Sequence, residues 1–403
     1  MKWILGMMTF MISLSASAQV WKTLPAGVRI LGYRNVVTSK VTSNFNQFRS
    51  ESPLGAQFLI DARTLDQIPA LGGALGQTLP QDAYDAFVAG EYKIDASAQF
   101  QVQGSGFGWG LTDKVMLYGE IAYYNATVNA NIKRLRGNSY EEFARKLSAQ
   151  GGNLNSFLAE NAKALFDANE STVQSFVTNY YGYKPIGDWY GSGYGDMETG
   201  VMARLADSGT WGLLYYPGIV LPTGRQDDPD ILQDVGFGDG QFDLFNEFAS
   251  GYVVNDNIMI GSTFRYTYQA PTTKNLRIPG GRDYTLSDEK GNFNVKYGDR
   301  INWMINSTFT FNDWLSVTPS YRYMYQMSSV YDSNFQDANS YLSYNSDKQE
   351  HQVQLQTTIS TIQPFLKKKF ALPTQINVNL VDTFAGKNVP KVARFEVELR
   401  MLF

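Results

Sequence analysis

The last eleven residues of this 403-residue chain alternate strictly. Ala393, Phe395, Val397, Leu399, Met401 and Phe403 fall on one face of an extended strand, and Arg394, Glu396, Glu398 and Arg400 on the other. Successive side chains of a strand point to opposite faces, so this run is apolar on one side and charged on the other. The same period recurs at 299–311, where Ile301, Trp303, Ile305, Phe309 and Phe311 oppose Asn302, Asn306, Thr308 and Thr310. It recurs at 258–269, 315–326, 350–362 and 373–382, and more weakly at about 26–38, 93–108, 115–132, 195–206, 210–222 and 239–253. The total is twelve strands. Most are longer than the five or six residues usual in soluble sheets, and they suit strands that cross a bilayer at a tilt. Near Tyr123-Tyr124 the apolar positions change phase, which predicts a bulge.

Composition narrows the class. No window after the N-terminus holds about 18 consecutive apolar residues, so membrane-spanning helices are excluded. With 34 Lys+Arg against 38 Asp+Glu, the charge balance does not suit a nucleic-acid binder held by phosphate contacts. One His and no Cys exclude zinc-finger-type sites and a disulfide framework. Tyr and Phe occur 25 times each, yet mean hydropathy is −0.27. A barrel that alternates lipid-facing and lumen-facing residues resolves that contradiction. Residues 1–18 read as a signal peptide: Lys2 is its positive end, Ile4–Leu14 its apolar core and Ala16-Ser17-Ala18 its small-residue cleavage site. Residues 19–403 then form one outer-membrane barrel domain.

The connections alternate in length. Short turns are expected near 111–114, 206–210, 255–257, 312–313 and 366–372, and longer ones at about 39–91, 133–192, 223–238, 271–297 and 331–349, with a short sixth at 385–390. Starting from the periplasm, every short turn falls on the periplasmic side and every long loop outside. This parity follows from the strands without being imposed on them. The expected fold is an all-β, transmembrane, antiparallel up-and-down barrel of about twelve strands, fourteen being the alternative count, with partly helical loop or plug insertions at 39–91 and 133–192.

Two resemblances add to this reading. The strand ending at Phe403 resembles the terminal strand of bacterial outer-membrane barrels, which implies that Phe403 is read by the barrel-assembly machinery. Gly195-Asp196, Leu221-Pro222-Thr223-Gly224 and Gly236-Phe237-Gly238-Asp239-Gly240, with the opening Leu24-Pro25-Ala26-Gly27-Val28-Arg29, resemble the FadL-type transporter superfamily, nearest its phenol-degradation-pathway group. The match covers roughly a quarter of the chain. It implies a passive outer-membrane channel for small, hydrophobic or aromatic molecules. Fatty-acid transporters of that class have fourteen strands and an Asn-Pro-Ala plug signature. Here the strands number twelve and no such tripeptide occurs.

Several segments carry specific expectations. Residues 139–178 are helical in period, with Ser139 as N-cap and a break at Gly151-Gly152. Phe143, Leu147, Leu154, Phe157 and Leu158 form an apolar stripe, read either as a cap or substrate groove over the barrel mouth or as plain packing onto the rim. A second partly helical stretch, 61–90, carries Leu65, Ile68, Leu71, Leu75 and Phe87. Glu120, Glu247, Arg265, Arg322, Arg394 and Glu396 lie at similar depth on the polar faces, with Glu398, Arg400 and Arg204 nearer the periplasm and Asp196 and Asp243 nearer the outside. They form either a polar constriction that filters solutes or a salt-bridged brace. Asp227, Asp228 and Asp230 are weak calcium candidates without EF-hand spacing, and no cofactor is expected. His351 has no nucleophile or orienting carboxylate in a recognisable pattern, so catalysis is not expected; it is placed at the outer interface. The partners implied are outer-membrane lipid, the assembly machinery and a small-molecule solute, with no nucleic acid. Alternatives to a hydrophobic-solute channel are a general porin for polar solutes and a closed structural or surface-interaction barrel.

Overall fold

The computed structural model describes residues 21–66, 73–149, 163, 166–167, 169–282 and 286–403. The signal peptide expected at 1–18 lies outside them. Twelve strands follow one another around a closed ring: β1 (Arg29–Thr38), β2 (Val88–Thr112), β3 (Val115–Arg136), β4 (Met197–Asp207), β5 (Trp211–Leu221), β6 (Asp243–Asn255), β7 (Ile258–Gln269), β8 (Arg300–Asn312), β9 (Leu315–Gln326), β10 (Lys348–Ser360), β11 (Thr374–Lys387) and β12 (Ala393–Leu402). Each pairs antiparallel with the next, and β12 returns to β1 with Ile30 opposite Leu402, so no edge is left unpaired. Among the described residues the barrel closes with twelve strands. Two short strands, Gln57–Asp61 and Trp189–Tyr194, extend the sheet without entering the ring.

Short turns and long loops sort to opposite ends, as the parity predicts. The chain end lies at the short-turn end, where the Phe403 N–H donates to the Arg29 carbonyl and the Arg29 N–H to that of Phe403. At the long-loop end, Ser43–Phe45, Glu51–Pro53 and Val389–Pro390 form one small sheet. Thr272–Arg277, Lys290–Lys296 and Val330–Asp332 form another.

The barrel is inside out relative to a soluble protein. Outward Phe264, Trp303 and Leu380 are 45%, 43% and 56% exposed, while the neighbouring inward Arg265, Asn302 and Asn377 are 2%, 4% and 1% exposed. Leaving a large apolar side chain in water costs about 1.5–3 kcal/mol relative to burial. A belt of such residues on every strand is stable only against lipid. His351 belongs to that outer face. Its Nδ1 is hydrogen-bonded to the Tyr321 hydroxyl at 2.7 Å, and its ring lies 5.1 Å from Tyr323 and 6.1 Å from Phe384.

The phase change at Tyr123-Tyr124 is real, but its cause is not a bulge. The β2–β3 register runs unbroken from Tyr92↔Arg134 to Gly110↔Met116, so no residue is inserted. What changes is the surroundings. Below this level Phe107, Trp109, Leu117 and Ile121 point outward while Tyr118 and Glu120 point inward. Above it Gln99, Gln101, Gln103, Asn125, Thr127 and Asn129 point outward, and Phe100, Val102, Tyr124, Ala126 and Val128 turn inward under Val41, Leu54, Val235 and Phe237. The hairpin has left the membrane and become a soluble sheet with its apolar face covered. At about 3.3 Å per residue, the stretch Val88–Gly104 adds roughly 50 Å of strand beyond the lipid. β2 and β3, at 25 and 22 residues, are the long pair for this reason; the other strands have 10–14.

The helical insertions crown that hairpin. Helix Tyr140–Ser148 packs Phe143 and Leu147 against Ala62, Ala83, Phe87 and Phe166, with Leu65 and Leu75 at the margin. The Phe87 ring lies 5.3 Å from Phe143 and 4.5 Å from Phe166. The stripe is therefore buried in packing between the two insertions and offers no groove at Phe143 or Leu147. Leu154, Phe157, Leu158, Gly151-Gly152, Ile68 and Leu71 lie outside the described residues. Ser139 occupies the N-cap position but does not cap: its hydroxyl donates to the Ala86 carbonyl and accepts from the Val88 N–H, tying helix to hairpin. Within 39–91, Val41 and Leu54 pack on the inward face of the β2–β3 hairpin. Residues 44–48 rim the outer mouth.

Candidate functional site: a charged constriction in the lumen

Two chambers occupy the lumen. The lower, about 500 Å³, reaches the short-turn end at Asn257, Asp313 and Gln363. The upper, about 900 Å³, opens between the long loops past Tyr297, Tyr331, Lys274, Arg300 and Lys348. Glu120, Glu198 and Arg265 line both. These three side chains therefore stand where the two chambers adjoin.

The register explains why charges meet here. Glu120 of β3 stands directly opposite Glu198 of β4, and Glu247 of β6 directly opposite Arg265 of β7. Facing carboxylates repel unless a cation intervenes. Arg265 supplies it, gripping Glu198 with two bonds of 3.1 and 2.7 Å and standing 3.7 Å from Glu247. The Tyr118 hydroxyl donates to Glu198 at 3.1 Å. The Phe245 ring lies 3.6 Å under the guanidinium, fixing its plane by a cation–π contact. A planar fork held by two carboxylates and a ring face is a rigid cation on the lumen wall.

A second cluster covers the opposite wall. Arg394 donates to Glu396 at 2.6 Å, Arg400 to Glu398 at 2.8 Å, and Arg34 lies 3.4 Å from Glu398 and 3.9 Å from Glu396. Asn377 and Asn379 of β11 complete the carboxylates' shells. All eight lumen residues read from the sequence thus point inward. They form two clusters, with Arg322 standing apart, bonded to Asn302 at 3.1 Å. Arg204 is not in the constriction. It pairs with Asp207 at the short-turn rim. The sequence reading missed Glu198 and Arg34, although both hold the inward parity of their strands: Glu198 with Met202 and Arg204, Arg34 with Ile30 and Val36.

The glycine motifs meet in one knot at the outer mouth. The Asp196 carboxylate accepts the N–H of Gly224 at 2.8 Å and of Asp239 at 3.2 Å. Thr223 donates to the Gly195 carbonyl and accepts the Met197 N–H. A Cβ on Gly224 would stand 2.6 Å from the Gly238 Cα, so only glycines allow these backbones to touch. The knot fixes the start of β4, two residues from Glu198. Burial, then the charge of Asp239, push the Asp196 carboxyl up to about 6. A raised acid pKa means the folded state holds the proton more tightly, so this group's stabilisation is complete below its unfolded value of about 3.9 and is lost as pH rises through about 6. We expect Asp196→Asn, which keeps the acceptor, to remove that share of the stability difference between pH 4.5 and 7.5, measured by thermal unfolding in detergent. An unchanged pH dependence would contradict the assignment.

Three carboxylates of the acidic loop already have protein partners. Asp230 is engaged by Arg277 at 2.6 Å and by Lys290 at 2.9 Å, Asp228 accepts the Asp230 N–H, and Asp234 is held by Arg225. Asp227 and Asp234 both line the upper chamber.

One unforeseen element packs against the inner wall near the short-turn end. Residues 21–28 run into the short-turn end of the lumen. Trp21 is fully buried against Leu214, Ala249 and Met259, its indole donating to Asp207, and Lys22 pairs with the same carboxylate. Leu24 packs on Ile30, Met116 and Met202. A Cβ on Gly212 would strike the indole at 2.0 Å, so the bare wall there is the seat of Trp21. Nothing in the periodicity of so short a segment marks it.

No family model and no curated protein matches this chain. Solved structures do. An outer-membrane channel of Pseudomonas putida F1 superposes over 95% of this chain and 98% of its own, with TM-score 0.53 and 10% identity. The toluene transporter TbuX of Ralstonia pickettii aligns over 94% and 90% at 8% identity and TM-score 0.36, and a Pseudomonas aeruginosa FadL homologue over 94% and 90% at 6% and 0.35. The latter two likenesses are too weak to bear on this chain. The inside-out twelve-strand barrel and the full-length superposition agree: this chain has the fold of an outer-membrane channel.

Proposed function

We propose that the protein is a passive outer-membrane channel for small molecules, with the Arg265–Glu198–Glu120 level as its filter. The observation that carries this reading is the pair of chambers, one from each end of the barrel, which share those three residues in their linings. Fixed charges at a narrow level select by size and by charge without any bond-making step. The superposed Pseudomonas putida protein is itself described as a channel, which supports the reading. The lumen's lining can take solutes with an apolar or aromatic body: Tyr118, Met202, Tyr216, Met259 and Met304 are among the side chains that line the lower chamber. Thioethers and rings adapt to such shapes.

Swelling of proteoliposomes tests this. Glycine and arabinose should enter faster than sucrose, at rates proportional to concentration. Equal swelling of protein-containing and empty vesicles would favour the other reading, a closed structural barrel.

A further inference from the structure

Around the constriction the lumen guanidinium groups are paired with carboxylates, with one exception. Arg265 holds Glu198 and Glu247, Arg394 holds Glu396, Arg34 lies against Glu398, and Arg400 holds Glu398. Arg322 of β9 has, among the described residues, no carboxylate within ion-pair distance. Its one side-chain hydrogen bond goes to the Asn302 carbonyl oxygen at 3.1 Å. Asn302 is 4% exposed, and its Nδ2 is buried without an acceptor. A guanidinium without a carboxylate partner and an amide Nδ2 without an acceptor thus share one spot on the wall of the lower chamber. Buried donors left unmade are costly, so the site is matched to an incoming oxygen anion.

The surroundings set the anion's class. Arg394 and Arg265 add positive field, while Glu350, Glu396 and Glu247 oppose it, so a singly charged anion is opposed less than a doubly charged one. Met304 stands directly opposite Arg322 on β8, and Met259 and Tyr216 line the same chamber. A planar carboxylate meets the guanidinium fork, and its apolar body meets the thioethers and the ring.

We propose that Arg322 and Asn302 form a carboxylate subsite below the filter, and that it takes small monocarboxylates with an apolar body. This rests on the channel reading above. Single-channel recording in potassium chloride, with benzoate or its neutral isostere benzamide added, tests it. Benzoate should interrupt the current of the wild-type protein at roughly tenfold lower concentration than benzamide, the scale of one charge-assisted contact. Arg322→Gln should abolish that difference while conserving ion steps, and Arg322→Lys should retain part of it. Equal block by the two compounds, or benzoate preference persisting in Arg322→Gln, would overturn the subsite and leave the channel standing. Absence of any ion steps from correctly folded wild-type protein would overturn both.

Discussion

Arg265→Met should convert the filter into a wider and cation-preferring one. The substitution removes the guanidinium at the level the two chambers share and leaves Glu198 and Glu247 without their shared cation. Breaking a buried pair from one side is expensive, about 3 kcal/mol or more, because the remaining carboxylate is left unmatched. The folded barrel should therefore lose stability, seen as a lower unfolding midpoint in urea. Its conductance should rise and its reversal potential in a salt gradient should move toward that of the cation. Glu198→Gln restores neutrality in the Arg265→Met background by removing one of the stranded carboxylates, and the double variant should regain part of the stability and lose part of the cation preference. A single variant with unchanged selectivity would mean that Arg265 does not stand at the narrowest level.

The second large effect concerns the membrane boundary. Ile305 sits midway along β8 on the outer face, and Gln101 sits on the outer face of β2 above the polarity switch. Arginine on the lipid face near the bilayer midplane costs about 2–4 kcal/mol, and little at or beyond the interface. Ile305→Arg should therefore depress folding into lipid vesicles by that amount, while Gln101→Arg should leave it unchanged. Equal penalties at the two sites would contradict the placement of the boundary at Tyr123-Tyr124.

The fold was legible in the sequence because a barrel strand carries its own test. Every strand from β1 to β12 shows the period-two pattern, and the sorting of turn lengths fixes which end is which. β7 and β9 match the expected 258–269 and 315–326 residue for residue. Periodicity failed where its physical cause changed. At Tyr123-Tyr124 the apolar face switches because the solvent switches from lipid to water, which a single strand cannot distinguish from an inserted residue. The stripe at Phe143 and Leu147 was visible, but its partner, the 61–90 insertion, is remote in sequence, so a cap over the mouth and packing at the hairpin tip looked alike.

The site was half legible for a related reason. Inward charges were readable one strand at a time, yet which of them pair depends on register across strands. Arg265 meets Glu198 although 67 residues separate them. Glu198 itself lies in a weakly patterned strand rich in Gly, Ala and Met, where its parity is easily overlooked. Trp21 lies between the expected cleavage site and β1, and only the bare Gly212 wall reveals its place.

The central claim is that the two chambers communicate through a charged filter. Recording wild-type protein in planar bilayers, after confirming heat-modifiable migration of the same sample on a semi-native gel, tests it most directly. The account predicts small, uniform ion steps that enlarge in Arg265→Met. A folded barrel that conducts no ions, with or without that substitution, would contradict it.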